Sequence, residues 1–309
     1  MRAWIGIYVK GLFMGTADMI PGVSGGTIAL IVGVYDRLVK AIASLDPRVL
    51  TQLRGIHHPS TRQALFDRLR DMDLPFLVVL GAGIATAVII LSRVILAIFQ
   101  AYPAHVNAFF FGLISASALL IYRDITLDTP GRVGVSLAGF LLAFFIAGLA
   151  ADGGNGSLLV VFAVGAIAIS AMVLPGISGA AFLYLFGQYE FLLDALRETV
   201  DGVVGFVTGE NPASIGESGI VVVTFLVGAV LGLLTTAHLV AYALSKYRIA
   251  TLAFLTSLMV GALRLPVDEV YRELGTPSVG IMLTLIAVAI VGMLAVAALD
   301  RVTESLQYT

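Results

Sequence analysis

Two short segments hold most of the chemistry this chain can offer: Pro21-Gly22-Val23-Ser24-Gly25-Gly26-Thr27 and Pro175-Gly176-Ile177-Ser178-Gly179. Each lies between apolar runs, and its proline and glycines interrupt the backbone hydrogen-bond ladder there. A half-helix restarting near Ser24 presents the N–H groups of Gly25, Gly26 and Thr27 together with the positive end of its dipole. Ser24 and Thr27 add hydroxyls, and the glycines let a ligand lie against the backbone. Such a turn suits an anion, a phosphate or a carboxylate. Ser178 and Gly179 repeat the arrangement, and Pro21, Gly22, Pro175 and Gly176 form the turns themselves. One copy is equally well explained as a tight turn with serine as its N-cap. Two copies favour a ligand site.

Arg93 is the one charged residue between Asp73 and Arg123. A guanidinium inside an apolar span is costly and needs a partner, either fixed or transported. Arg93 and His238 therefore join the candidate anion ligands, against the plainer alternatives of an Arg93–Asp18 pair and a core histidine. Asp18 ends the half-helix before Pro21, where the local dipole disfavours a carboxylate. That position makes it a candidate for coupling to protons or Na⁺, with a salt bridge as the alternative. Tyr35 with Asp36, and Tyr189 with Glu190, follow the two turns where each hairpin ends. They are candidate gating residues or, more simply, boundary anchors.

The elements that position these residues follow from composition. The 309 residues are 59% hydrophobic and 12% charged, with a net charge of -2 and a mean hydropathy of +1.01. A soluble domain carries roughly 25% charged residues, so a soluble enzyme and a nucleic-acid binder are excluded. There are no cysteines, which removes disulfides and thiolate chemistry, and no metal site is expected. The reading is an all-α polytopic membrane protein. Crossing helices are expected at 74–99, 104–122, 133–151, 219–244, 249–263 and 278–299, with hairpins at 3–42 and 157–196. Broken backbone in lipid is tolerated only where protein or a polar cavity surrounds it, so each hairpin is expected to be re-entrant. Gly228 and Gly232, and the pair Gly81 and Gly83, are expected at close helix crossings. With the N-terminus inside, fourteen basic residues fall on the inner side and three on the outer. That bias places both termini in the cytoplasm.

Displacing the sequence by 154 residues lays Ala17, Pro21, Gly22, Ser24, Gly25, Gly33 and Tyr35 on Ala171, Pro175, Gly176, Ser178, Gly179, Gly187 and Tyr189. Further along the displacement becomes 145, and Tyr102, Ala108 and Phe109 meet Tyr247, Ala253 and Phe254 while Arg93 meets His238. Two halves, 1–152 and 153–309, are expected. Each would hold a hairpin and three crossings, so the second would be inverted. Inverted repeats with broken helices are the architecture of alternating-access transporters.

The run Met14-Gly15-Thr16-Ala17-Asp18-Met19-Ile20-Pro21-Gly22-Val23-Ser24-Gly25-Gly26-Thr27, with its echo Leu174-Pro175-Gly176-Ile177-Ser178-Gly179, resembles the polyprenyl-phosphate transporter family of the PopT type over nearly the whole chain. The resemblance implies a flippase of the cytoplasmic membrane, not an enzyme, that returns undecaprenyl or another polyprenyl phosphate for cell-envelope synthesis. It also implies that the two turns hold the headgroup. Ala180 and Ala181 stand where the first copy has Gly26 and Thr27, a departure from a symmetric clamp. Two other readings stay open: a secondary transporter of a small soluble anion, and an intramembrane serine protease using Ser24 and His238. The expected partners are the polyprenyl-phosphate lipid and membrane lipids. No cofactor is expected beyond a coupling ion.

Overall fold

Length and apolarity decide which segments can cross a bilayer. The computed structural model describes residues 2–45, 65, 68–123, 125–151, 157–172, 178–209 and 215–307. Among these the elements are helical: α1 (Arg2–Asp18), α2 (Gly25–Ile31), α3 (Tyr35–Ala43), α4 (Leu74–Ala101), α5 (Pro103–Tyr122), α6 (Pro130–Ala151), α7 (Leu158–Met172), α8 (Gly179–Leu185), α9 (Tyr189–Thr208), α10 (Ile215–Ala262), α11 (Arg264–Leu274) and α12 (Val279–Gln307). Six stretches are long and apolar enough to span: 74–101, 103–122, 130–148, 216–233, 246–274 and 279–298. These fall on the six expected crossings; most ends agree within three residues, and the fifth runs eleven residues further than expected, through α11. Val78, Ile90, Phe145, Val223, Leu283 and Leu294 point outward on them, as a lipid-facing surface requires. The chain is a multi-pass membrane protein.

The expected spans 219–244 and 249–263 follow one another along α10 and are divided at Tyr247, whose backbone is non-helical at φ -133 and ψ 43. Two departures have local causes. The apolar return limbs of the hairpins are cut short, because Gly33 (φ 67) and Gly187 (φ 63) take the left-handed conformation that ends a helix. The helix α9 continues to Thr208, beyond the expected hairpin end at residue 196. Its mixed apolar and charged sequence gives no uninterrupted apolar run to read.

Proline sets where two spans begin. Pro75 stands in the first turn of α4 and Pro103 in that of α5, positions where a missing N–H costs nothing. Only Tyr102 separates the two helices, at φ -143 and ψ 55. The centre of the bundle is α5, where Leu113 and Ile114 are fully enclosed. It packs on α4, α10, α11 and α12.

In lipid there is little hydrophobic drive between helices, so association depends on close contact at small residues. The helix α1 lies along α4, and α7 along α10. A Cβ added at Gly11 would strike the Leu80 carbonyl, and one at Gly83 the Tyr8 carbonyl. In the other pair, Gly165 faces the Phe225 carbonyl and Gly228 that of Phe162, with Gly232 against Ala166. Gly81, expected at a crossing, instead faces open space. It lies about 200° around the helix from Gly83, so only one of the two can meet α1.

Candidate functional site

The first turn closes as its sequence suggests. After Asp18 the chain passes through Pro21, which is fully enclosed, and Gly22, at φ 91. The Gly22 backbone abuts Leu113 and Ile114 of α5. The Ser117 hydroxyl, from α5, donates to the Gly22 carbonyl. Ser24 is buried and caps α2, its Oγ accepting the Thr27 N–H at 3.4 Å. Asp18 turns back across the break, and its Oδ1 accepts the Gly25 N–H at 2.9 Å. The carboxylate therefore occupies one of the backbone donors that sequence analysis offered to an anion. Gly25 is required there, because a Cβ would overlap the Asp18 carboxylate. Gly26 is buried alongside.

The second turn resembles the first in the part that is described. Ser178 is buried, and its Oγ accepts the Ala181 N–H at 3.3 Å, capping α8. Gly179 packs against Met172, which occupies the position matching Asp18. Pro175 and Gly176 lie outside the described residues, as does the side chain of His238, whose backbone belongs to α10.

The start of α9 meets the segment that follows α1 through Tyr189. Its hydroxyl donates to the carbonyl of Met19, next to Asp18. The ring is buried among Phe99, Phe110 and Tyr184, with centroids 5.5 to 6.4 Å apart within the group. Tyr189 is thus an interior contact between α9 and the segment that follows α1, not a boundary anchor. Tyr184 donates to Asn107 of α5. Glu190 lines a polar cavity of about 250 Å³ with Asn107, Tyr184, Tyr189 and Glu269. Tyr35 packs, partly buried, against the apolar cluster that holds Met14, Val34 and Phe76, while Asp36 is exposed.

Among the described residues Arg93 pairs with neither Asp18 nor any residue of the turns. It forms an ion pair with Asp201 of α9, each side chain about half exposed (48% and 50%). Sequence analysis missed Asp201, Ser117 and Asn107. Asn107 and Ser117 did carry a signal, as polar side chains within an apolar span. Asp201 carried none, being one of several charges on a mixed helix.

Beside the first turn lies a second cavity, of about 480 Å³, within the roughly 300–1,000 Å³ of small-molecule sites. Met19 and Ile20 form one end, α4 and α5 its walls, and Tyr102 and His105 its other end. Its lining is almost wholly apolar. Among the described residues no group of His, Asp and Glu is placed to hold a metal ion.

Six apolar spans, a turn around the enclosed Pro21 and an apolar cavity adjoining it describe a multi-pass membrane protein with a ligand-sized cavity beside that turn. The family described as VCA0040-like, undecaprenyl phosphate translocase-like, matches residues 14–277, and the chain belongs to that family. A protein of Vibrio cholerae named polyprenyl-phosphate transporter is 36% identical over 260 residues, 84% of this chain and 76% of the relative. A protein of Staphylococcus aureus with the same name is 27% identical, over 97% of both chains. No solved structure matches. The family and both relatives are described by transport, which speaks for a transporter and against the protease reading.

Proposed function

We propose that this protein is a flippase that carries undecaprenyl or a related polyprenyl phosphate across the cytoplasmic membrane. It works by alternating access, and two inverted halves, 1–152 and 153–309, exchange roles. The observation that carries the mechanism is a repeated crossing. The contacts Gly11 with Leu80 and Gly83 with Tyr8 become Gly165 with Phe225 and Gly228 with Phe162 under the same displacements of 154 and 145 residues. The bends at Tyr102 and Tyr247 also correspond, with nearly equal backbone angles. Equivalent packing in both halves supports two conformations of similar energy, one open to each face.

The hairpins fit a re-entrant reading. The limb α1 has 17 residues and α7 has 15, about 25 Å and 22 Å long, while a span needs about 30 Å. The return limbs α2 and α8 have 7 residues each. Their buried tips present Ser24 with Gly25, Gly26 and Thr27, and Ser178 with Gly179, to the phosphate. The basic-residue bias supports cytoplasmic termini. Tyr189, reaching from the second hairpin to Met19, is suited to gate between the halves, with Glu190 beside it and Tyr35 and Asp36 at the matching place. Arg93 and His238 remain headgroup ligands in a state where Asp201 has released the guanidinium.

A soluble anion is the weaker reading. The cavity adjoining the first tip is apolar, and the polar cavity near it is lined by Glu190 and Glu269, which would repel an anion. The test is reconstitution in liposomes with labelled polyprenyl phosphate under imposed Na⁺ or proton gradients. Lipid moving between leaflets in response to one gradient supports the proposal. Uptake of inorganic phosphate with no lipid movement would replace it.

A further inference from the structure

The apolar cavity beside the first hairpin is polar at one end only. Its inner end is enclosed, with Met19, Val106 and Phe110 all under 10% exposed. Its outer end is open, where Ile98 is 47% and Tyr102 62% exposed. His105 stands there on the first turn of α5, exposed and edge-on to the Tyr102 ring at 6.1 Å. Neither a carboxylate nor a lysine lines the cavity, and His105 is the basic group among its residues. The first turn of a helix also favours negative charge.

A ligand with one long apolar chain and a single anionic end matches that distribution. A neutral prenyl chain leaves the imidazole unused, and a free phosphate leaves the groove empty. We propose that this groove is the loading site for a polyprenyl monophosphate, with the phosphate on His105 and the chain running inward to Met19. The proposal rests on the transport reading above, which puts the α4–α5 joint at the outer face. The lipid loads there in its ordinary bilayer orientation, phosphate at the interface, before the headgroup moves toward the Ser24 turn.

The test uses the full chain in liposomes and a polyprenyl monophosphate with a photoreactive group on the isoprene unit next to the phosphate. Labelling is expected on the groove walls of α4 and α5. His105→Ala should lower it roughly tenfold, the loss of one charge-assisted hydrogen bond, and His105→Lys should restore it. The matching alcohol should label wild type and His105→Ala alike, and Ile98→Trp, at the exposed mouth, should block both probes. Equal phosphate-probe labelling of wild type and His105→Ala, labelling away from the groove, or full competition by inorganic phosphate or an ordinary anionic phospholipid would overturn the loading site. Any of these with lipid transport intact leaves the transport reading standing. Absence of transport by the wild type overturns both.

Discussion

The matched crossings can be tested by adding one methyl group at a time. A Cβ on Gly83 would land on the Tyr8 carbonyl, and one on Gly228 on the Phe162 carbonyl, each against fixed backbone. Ordinary carbon–oxygen contact needs about 3.3 Å or more, so each pair of helices must part by about 1 Å along its crossing. A gap of that size forfeits roughly a quarter to a half of each dispersion contact it opens, and overpacking of this kind costs about 1–3 kcal/mol. Gly81→Ala is the control, since nothing lies within 4 Å of its Cβ and alanine gains about 1 kcal/mol of helix propensity. Thermal unfolding in detergent should show Gly83→Ala and Gly228→Ala lowered by similar amounts, about 5 °C at some 2–4 °C per kcal/mol. Gly81→Ala should be unchanged or slightly raised. A Gly83→Ala protein as stable as Gly81→Ala would refute the crossing. Unequal losses at Gly83 and Gly228 would refute the equivalence of the two halves.

Other expectations concern charge. Arg93→Ala and Asp201→Asn both break the α4–α9 ion pair; if Arg93 also takes the phosphate, Arg93→Ala should abolish lipid transport in liposomes while Asp201→Asn retains it. Equal transport by the two would confine Arg93 to a structural role. Asp18→Asn keeps an oxygen acceptor for the Gly25 N–H but removes the charge, so lipid exchange should persist while its response to an ion gradient disappears. A preserved gradient response would remove Asp18 from coupling. At the edge of the bundle Arg37 donates to Asp73 at 2.6 and 2.9 Å, and those hydrogen bonds hold the Asp73 carboxyl below its usual range. A carboxyl with a lowered value keeps its contribution at neutral pH and loses it as pH falls through that value, so α3 should loosen from α4 only below about pH 4. Hydrogen exchange of 35–43 at neutral and acid pH reads this out, and Arg37→Ala should show the loosened exchange at both.

What the sequence made legible follows from what lipid imposes. A span must be long and apolar, so the six crossings stand out, and most of their ends shift by three residues or fewer. The bend at Tyr247 falls in the gap expected between 219–244 and 249–263, where Ser245, Lys246 and Arg248 interrupt the apolar run. The serine caps were readable because an N-cap is local, three residues from its donor. The contacts of Ser117 with Gly22, Arg93 with Asp201 and Tyr189 with Met19 join residues 95, 108 and 170 positions apart. No local pattern announces such pairs. The repeat suggested that the tyrosines at 35 and 189 were equivalent. The fold gives them different surroundings, with Tyr189 in the aromatic interior and Tyr35 partly buried against the apolar cluster that holds Phe76.

That difference bears on how a nominally symmetric protein could move its ligand in one direction. The first turn carries Asp18, and the second carries Met172 in its place. Asp18 holds the Gly25 N–H, a donor that a phosphate at this tip would also need. Two anions cannot share it. For a phosphate to bind there, the carboxylate must swing away, accept a proton or take a cation as companion, and the last two would link the headgroup to an ion. At the second turn the thioether offers no such competition, so the Ser178 tip would take the phosphate without ion exchange. On the proposed cycle, protonation or a companion cation at the first tip alone would give transport a direction set by that ion's gradient.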